Sequence, residues 1–391
     1  MKIKGFLKDV GGASRVTARR KELFETASDK LVLSDPIGDV ANALHPGSIT
    51  LEVASITPAS PTAKTIRFIS KDKKLPVFQA GQYLSLKLNI GDTLTSRPYS
   101  ISSAPFETRT DNPFVEITVR NKGESFASDY LYKSLKIGDN LSGTMPHGQF
   151  YFEELRDAKN IVAIAGGSGI TPFISMAREI EHGTLDVNLT ILYGSNEVSD
   201  IILKDRLDAI KSDRVRVVHV IANDPSWSGE KGFITSEIIK KYSAGDTTYF
   251  LCGPQVMCKF VLGELDKLHI APRRIRREVF GAPREIENYE GYPESAKGKT
   301  FKLTLVRGIR KDIISARSDE PIIVAIERAG IKSETNCRSG ECGFCRSELL
   351  SGEIFVCPDG DGRRMADKQY GFFHPCSSYP VSDLSVKIPI L

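Results

Sequence analysis

Cys337, Cys342 and Cys345 stand in a C-x4-C-x2-C arrangement, and Cys376 follows further along the chain. Four thiolates at that spacing can hold two irons bridged by sulfide, a 2Fe–2S cluster that carries one electron at a time. The loop Arg338-Ser339-Gly340-Glu341 would wrap one edge of it. Gly340 and Gly343 let backbone N–H groups approach the sulfurs, and such hydrogen bonds tune a cluster's potential. The competing chemistry is structural zinc, which prefers paired C-x2-C units closed into a tetrahedron. A single C-x2-C unit beside a C-x4-C favours iron and sulfide. Cys357 lies between the third and fourth of these cysteines and competes for the fourth position. The chain has seven Cys, none before Cys252. An odd count clustered late, without an export signal, does not suggest a disulfide framework.

A second set of residues suits flavin and nicotinamide. Arg97-Pro98-Tyr99-Ser100-Ile101 ends a strand-like stretch. A flavin needs a hydrogen-bonding edge, an aromatic face and a countercharge for its phosphate. Arg, Tyr and Ser in this spacing can supply all three, although an ordinary polar strand end looks the same. Gly166-Gly167-Ser168-Gly169-Ile170-Thr171-Pro172-Phe173 follows an apolar strand and opens a helix, where glycines let a dinucleotide pyrophosphate meet the helix N-terminus. Cys252-Gly253-Pro254 ends a later strand, at the carboxyl edge where ligands bind in parallel sheets. The plain alternative there is a packing cysteine.

In this order the motifs resemble the ferredoxin–NADP reductase family over residues 47–391, and residues 299–391 resemble plant-type ferredoxins. The resemblance implies that Tyr99 and Ser100 hold the isoalloxazine and Arg97 the phosphate. Ser128, in Ser128-Asp129-Tyr130-Leu131, resembles the helix start that receives the FAD pyrophosphate. This copy has two extra residues between Gly123 and Ser128, which keeps FMN as the alternative to FAD. By the same resemblance Gly166, Gly167, Gly169, Thr171 and Pro172 bind NAD(P)H. Cys252, Gly253 and Pro254 match the family's C-G-P, with Cys252 beside the nicotinamide. Ser100 and Cys252 are thereby the implied catalytic residues. Trp227-Ser228-Gly229 with Gly232 also fits, and Glu278-Val279-Phe280 resembles the closing E-x-F, with Phe280 near the flavin. His374-Pro375-Cys376-Ser377-Ser378-Tyr379-Pro380 resembles the last-ligand segment of the ferredoxins. That implies Cys337, Cys342, Cys345 and Cys376 as the metal ligands and Cys357 as a spare buried thiol. Cys357 and the neighbouring Pro358 to Met365 depart from the family pattern.

The elements that must position these residues follow from the patterning of the chain. The protein has 391 residues, 40% hydrophobic and 26% charged, too many for one ordinary core. We expect a multidomain fold. Residues 1–46 form a charge-rich N-terminal extension in which Ser14 to Glu25 could be a short basic helix. Residues 47–155, with β-branched alternation in Ser48 to Val53 and Thr65 to Ile69, read as an antiparallel β-barrel for FAD. Residues 156–281 alternate strand and helix, as an α/β parallel sheet for NAD(P)H does. Residues 282–298, polar with Pro, Gly and Tyr, look like a linker. Residues 299–391 are the α+β (β-grasp) ferredoxin domain.

At the adenine end, Gly194-Ser195-Asn196-Glu197 follows a strand. Glu197 would repel a ribose 2′-phosphate and favour NADH, but Lys204 and Arg206 stand close enough in sequence to favour NADPH. No apolar run approaches the roughly 20 residues of a membrane span. Met1 to Phe6 lacks a secretory apolar stretch, so the protein is expected in the cytoplasm. A net charge of +4 argues for no nucleic acid or other polyanion. The expected function is a reductase moving electrons from NAD(P)H through FAD to the cluster and on to a protein partner: an oxygenase, a desaturase or another redox enzyme. The alternatives are a stand-alone flavin/iron–sulfur redox sensor and a self-contained reductase of a small molecule.

Overall fold

A computed structural model of the protein describes residues 6–27, 35–71, 74–121, 123, 125–283 and 285–389. The start of the chain, Met1 to Gly5, and Arg284 of the expected linker lie outside them. Two compact units divide the chain at residue 45. The smaller holds α1 (Phe6–Glu25) and α2 (Pro36–Leu44). Helix α1 begins well before the expected Ser14. Gly11 and Gly12 each lower helix propensity by about 1 kcal/mol relative to Ala, and the turns on either side carry the helix through them. Among the described residues no helix is long and apolar enough to cross a membrane.

Among the described residues the larger unit contains three large successive sheets and, beside the third, a two-stranded one. The first is antiparallel and consists of β1 (Ile49–Ser60), β2 (Ala63–Ser70), β3 (Tyr83–Ile90), β4 (Thr93–Ser100), β5 (Val115–Arg120) and β6 (Asn140–His147). The strand order is β4-β3-β6-β1-β2-β5. Ile101, just past β4, bridges Ile117 of β5, so the two outer strands meet and the sheet curls into a barrel. Alternate residues Leu51, Val53, Ile66, Phe68, Leu84 and Leu86 fill its interior, as the twofold period of a strand requires. A short helix, α3 (Phe126–Asp129), crosses beside it.

The second sheet is parallel, in the order β10-β9-β8-β7-β11-β12. Its strands are β7 (Asn160–Gly166), β8 (Asn188–Ser195), β9 (Val215–Ile221), β10 (Glu230–Lys231), β11 (Thr247–Cys252) and β12 (Ile275–Glu278). Helices α4 (Thr171–His182), α5 (Lys204–Asp208), α6 (Ser236–Tyr242) and α7 (Gln255–Lys267) connect them. The strand order reverses between β7 and β11, and in such sheets ligands bind beyond the carboxyl ends at that switch point. The Gly166–Gly169 turn and the Cys252–Pro254 turn both leave from there.

The third sheet, in the order β14-β13-β19-β15-β17, is a β-grasp. Here β13 is Thr300–Arg307 and β14 is Arg310–Arg317; helix α8 (Ile322–Arg328) packs on them. They are followed by β15 (Ser347–Ser351), β16 (Ile354–Val356), helix α9 (Met365–Gln369), β17 (Phe372–Phe373), β18 (Ser378–Pro380) and β19 (Leu384–Lys387). Strands β13 and β19 are parallel and their other neighbours antiparallel. The stretch read as a linker packs tightly. Ile286, Tyr292 and Ala296 bury themselves against Cys357 and Tyr379. Tyr292 donates from its hydroxyl to Ser318 O at 3.0 Å, and Tyr379 to Pro283 O at 2.7 Å. Tyrosine rings can be buried while their hydroxyls still reach a carbonyl, so a polar segment with Pro, Gly and Tyr that reads as a linker folds against a core.

Candidate electron-transfer site

The flavin side is built on β4. Pairing with β3 sets Tyr83 opposite Ser100, and the register of β11 with β12 sets Cys252 beside Glu278. Ser100 donates from Oγ to Glu278 Oε2 at 3.4 Å. Ser100, Glu278 and Cys252, drawn from two domains, therefore gather at one place, all buried. Burial, reinforced by the nearby Glu341 carboxylate, pushes the Glu278 carboxyl well above the ordinary carboxylate range. Burial likewise raises the Cys252 thiol, with Glu278 adding to it, so Cys252 is a neutral thiol and not a nucleophilic thiolate. Tyr99 lies within hydrogen-bond reach of Ser128, which brings together two residues singled out from the sequence. Desolvation pulls the Arg97 guanidinium down to about 10, with Arg338 beside it acting in the same direction. A cation, a phenol, two hydroxyls and a carboxyl converging on a strand end form a donor set that fits a flavin and its phosphate.

The nicotinamide side is a tight joint between two turns. Gly167 has φ +55, and Thr171 caps the turn by donating to Ser168 O at 2.9 Å. Pro172 sits in the first turn of α4, where its missing N–H costs nothing. A Cβ on Gly169 would stand 2.1 Å from Cys252 O and 2.7 Å from Gly253 N; one on Gly253 would meet Gly166 at 3.2 Å. These glycines thus serve close backbone approach, which keeps Cys252 at the mouth of the G-G-x-G turn. Thr171 and Pro172 are buried in the turn itself. Arg120, at the end of β5, is a residue the motif reading missed. Its Nη1 lies 2.6 Å from where a Gly167 Cβ would be, and its Nε is buried without a partner, as is Ser195 Oγ at the adenine end. Buried polar groups are normally bonded, so these orphans fit a dinucleotide's phosphate and ribose. The two cations near Glu197 are already engaged: Lys204 pairs with Asp208 and Arg206 with Glu116.

The four expected iron ligands converge. Cys337 lies within side-chain reach of Cys342 and Cys376, and Cys345 of Cys376. Backbone N–H groups of Ser339 and Cys342 point at Cys337 Sγ, at 3.5 and 3.4 Å. Gly340, at φ +84, admits Gly360 O into a space that a Cβ would fill, so the Pro358 to Met365 stretch lies over the cluster loop. His374 Nδ1 meets Gly340 O at 2.6 Å. This donor set fits a 2Fe–2S cluster. Among the described residues no three metal-binding side chains are set for a single ion. Cys357 is fully buried elsewhere, packed with Tyr379 and bonded to Tyr289.

Tyr83 borders both sites. Burial raises its phenol, and negative charge on Cys342, Cys337 and Glu278 adds to the shift whenever those groups carry it. Its ring meets Phe280 edge-on at 5.4 Å and His147 at 5.5 Å, and His147 meets Phe344 of the cluster loop at 6.0 Å. No local motif marks Tyr83 or His147, because strand pairing and domain docking place them. Purified protein is expected to release FAD on heating and to contain about two irons and two acid-labile sulfides per chain. Cys357→Ser should keep the cluster and Cys376→Ser should lose it. Stoichiometric zinc without labile sulfide, or the reverse pair of results, would overturn the ligand set.

Three family models match in order: an oxidoreductase FAD-binding domain at residues 50–152, an oxidoreductase NAD-binding domain at 163–262 and a 2Fe-2S iron-sulfur cluster binding domain at 309–381. The chain is 30% identical to ferredoxin–NADP reductase B of Sorangium cellulosum over 250 residues, 61% of this chain and 96% of that protein. It is 27% identical to the carnitine monooxygenase reductase subunit of Escherichia coli over 305 residues, 78% of this chain and 87% of that one. In fold it is similar to phthalate dioxygenase reductase, with a TM-score of 0.64 at 22% identity, covering 91% of this chain and all of the other.

Proposed function

The chain belongs to the ferredoxin–NADP reductase family of flavin oxidoreductases and carries a C-terminal 2Fe–2S domain, and from this we propose that it takes electrons from NADH and delivers them to a separate terminal oxygenase protein. The observation that carries the reading is Tyr83, a single buried side chain that borders the Ser100–Glu278–Cys252 group on one side and Cys337 and Cys342 on the other. Donor site and exit site share a wall. The relatives named as reductase subunits of oxygenase systems support the oxygenase as partner. None of the seven cysteines is in a disulfide, which suits the reducing cytoplasm.

A bound flavin exchanges an electron pair for single electrons, and a bound 2Fe–2S cluster carries those singly. The chain's own residues supply the setting. Burial disfavours the charge of Glu278 and raises its hold on a proton, and Ser100 Oγ lies within hydrogen-bond distance of that carboxyl. Cys252 fixes the plane of approach on the nicotinamide side as a neutral thiol. Phe280, following Glu278 of β12, packs edge-on against Tyr83 of β3 and so joins the two domains beside this site. Glu197, with Lys204 and Arg206 otherwise paired, accepts from a ribose 2′-hydroxyl and repels a 2′-phosphate.

With cytochrome c standing in for the partner, kcat/KM for NADH should exceed that for NADPH by about tenfold or more, the equivalent of ~1.4 kcal/mol. Glu197→Gln should narrow the gap. Equal use of the two donors by the wild-type protein would refute the assignment of NADH.

A further inference from the structure

The carboxylate of Glu327, near the end of α8, is shared by two arginines from different domains. Arg338 donates from Nη1 to Oε1 at 2.6 Å and from Nη2 to Oε2 at 3.0 Å. Arg97 of β4 brings Nη1 to 3.6 Å from Oε2. Arg338 also donates to Ser96 O at 3.3 Å, and Ser96 Oγ donates to Thr335 O at 2.6 Å. The group is dry: the side chains of Glu327 and Arg338 are 3% and 8% exposed, and that of Arg97 is 23% exposed.

Its charge does not balance. Two guanidiniums face one carboxylate, and an excess buried charge is costly unless an anion joins it. Arg97 bonds to the chain through Nη1, at Ser96 O (2.8 Å) and at Thr95 Oγ1. That leaves its Nε–Nη2 edge, the fork that fits a phosphate. Arg338 immediately follows Cys337 and has φ +58. A residue with a Cβ holds that conformation only where its surroundings over-determine it, and here the two-point grip of Glu327 does so.

We propose that Glu327 is a positioning residue that couples the flavin phosphate to the cluster loop. A phosphate on Arg97 completes the charge of the group and stiffens it. Glu327 passes that constraint through Arg338 to the Cys337 end of the loop. Flavin occupancy then protects the cluster, and by linkage cluster retention tightens flavin binding. The inference rests on Arg97 as the phosphate residue.

The test uses the full chain loaded with both cofactors, then stripped of flavin. The readout is the decay of the cluster's visible absorbance under an iron chelator, which needs neither NADH nor a partner. Saturating FAD should slow decay about fivefold or more in the wild type, the lower end of a usual coupling. Riboflavin, filling the site but lacking phosphate, should protect little. Glu327→Gln should bring the ratio of rates with and without FAD close to one while the reduced cluster keeps its EPR signal. Should that variant fail to assemble, Arg338→Lys retains the charge, loses the two-point grip, and should show the same collapse. Wild-type decay indifferent to FAD, equal protection by riboflavin, or a wild-type ratio in the variants would overturn the coupling and leave the electron route standing. Undiminished FAD affinity in Arg97→Ala would overturn both the coupling and the phosphate assignment beneath it.

Discussion

Cys337→Ser should leave NADH-driven reduction of ferricyanide nearly intact and lower reduction of cytochrome c by at least roughly 100-fold, since losing even a hydrogen-bonding partner of a metal ligand can cost that much. Cys337 is buried, receives two backbone N–H groups and lies within reach of two of the other three thiols. A serine oxygen is a harder and poorer iron ligand than a thiolate, so this one change removes the anchor of the loop. The residues proposed to meet flavin and nicotinamide lie across Tyr83, on β4, β11 and β12 and in the turn after β7, and their positions come from strand pairing that Cys337 does not join. Ferricyanide takes electrons at the flavin level, so its rate reports that side alone. FAD should be kept in excess, because cluster loss is expected to weaken flavin binding. Survival of cytochrome c reduction would mean that electrons leave without the third domain and would favour a redox sensor. Loss of both rates would mean that the cluster loop holds the flavin side together.

The parts of this site that were legible in the sequence are those where chemistry fixes a spacing along the chain. Four cysteines that are to wrap two irons need a set interval, and G-G-x-G-I-T-P must turn from strand to helix within a few residues; the fold brings the four together and makes that turn. What the sequence withheld is set by contacts between distant segments. Ser100 and Glu278 meet only because β4 and β12 dock, and Tyr83 reaches both sites only because β3 pairs with β4 in one register. Lys204 and Arg206 stand near Glu197 in the sequence, and only the fold pairs them with Asp208 and Glu116. Arg97 reads locally as a phosphate residue, and its second neighbour, Glu327, lies in another domain.

Gly169→Ala tests the nicotinamide side as directly. A methyl group there would stand 2.1 Å from Cys252 O and 2.4 Å from its carbonyl carbon. Both are backbone atoms, so no side chain can swing aside, and the G-G-x-G turn must part from the Cys252–Pro254 turn. By contrast, a Cβ on Gly183, at the end of α4, meets nothing. Forced overpacking of this kind costs about 1–3 kcal/mol of stability, which a protein of this size can survive. Its effect on rate should be larger. A displacement of about 1 Å at a positioning element can cost roughly 100-fold, because Cys252 and the nucleotide turn would no longer present one surface. NADH should therefore reduce both ferricyanide and cytochrome c about 100-fold more slowly. Cluster and flavin content should stay at wild-type levels, since neither site includes this joint. Dithionite, which needs no nicotinamide site, should still bleach the flavin and the cluster to the wild-type extent. The two variants thus dissect the chain from opposite ends: Cys337→Ser separates the acceptor rates, and Gly169→Ala lowers them together. If Gly169→Ala kept its NADH rates while losing stability, the glycine would serve packing alone, and the nicotinamide would have to lie away from the Cys252 turn.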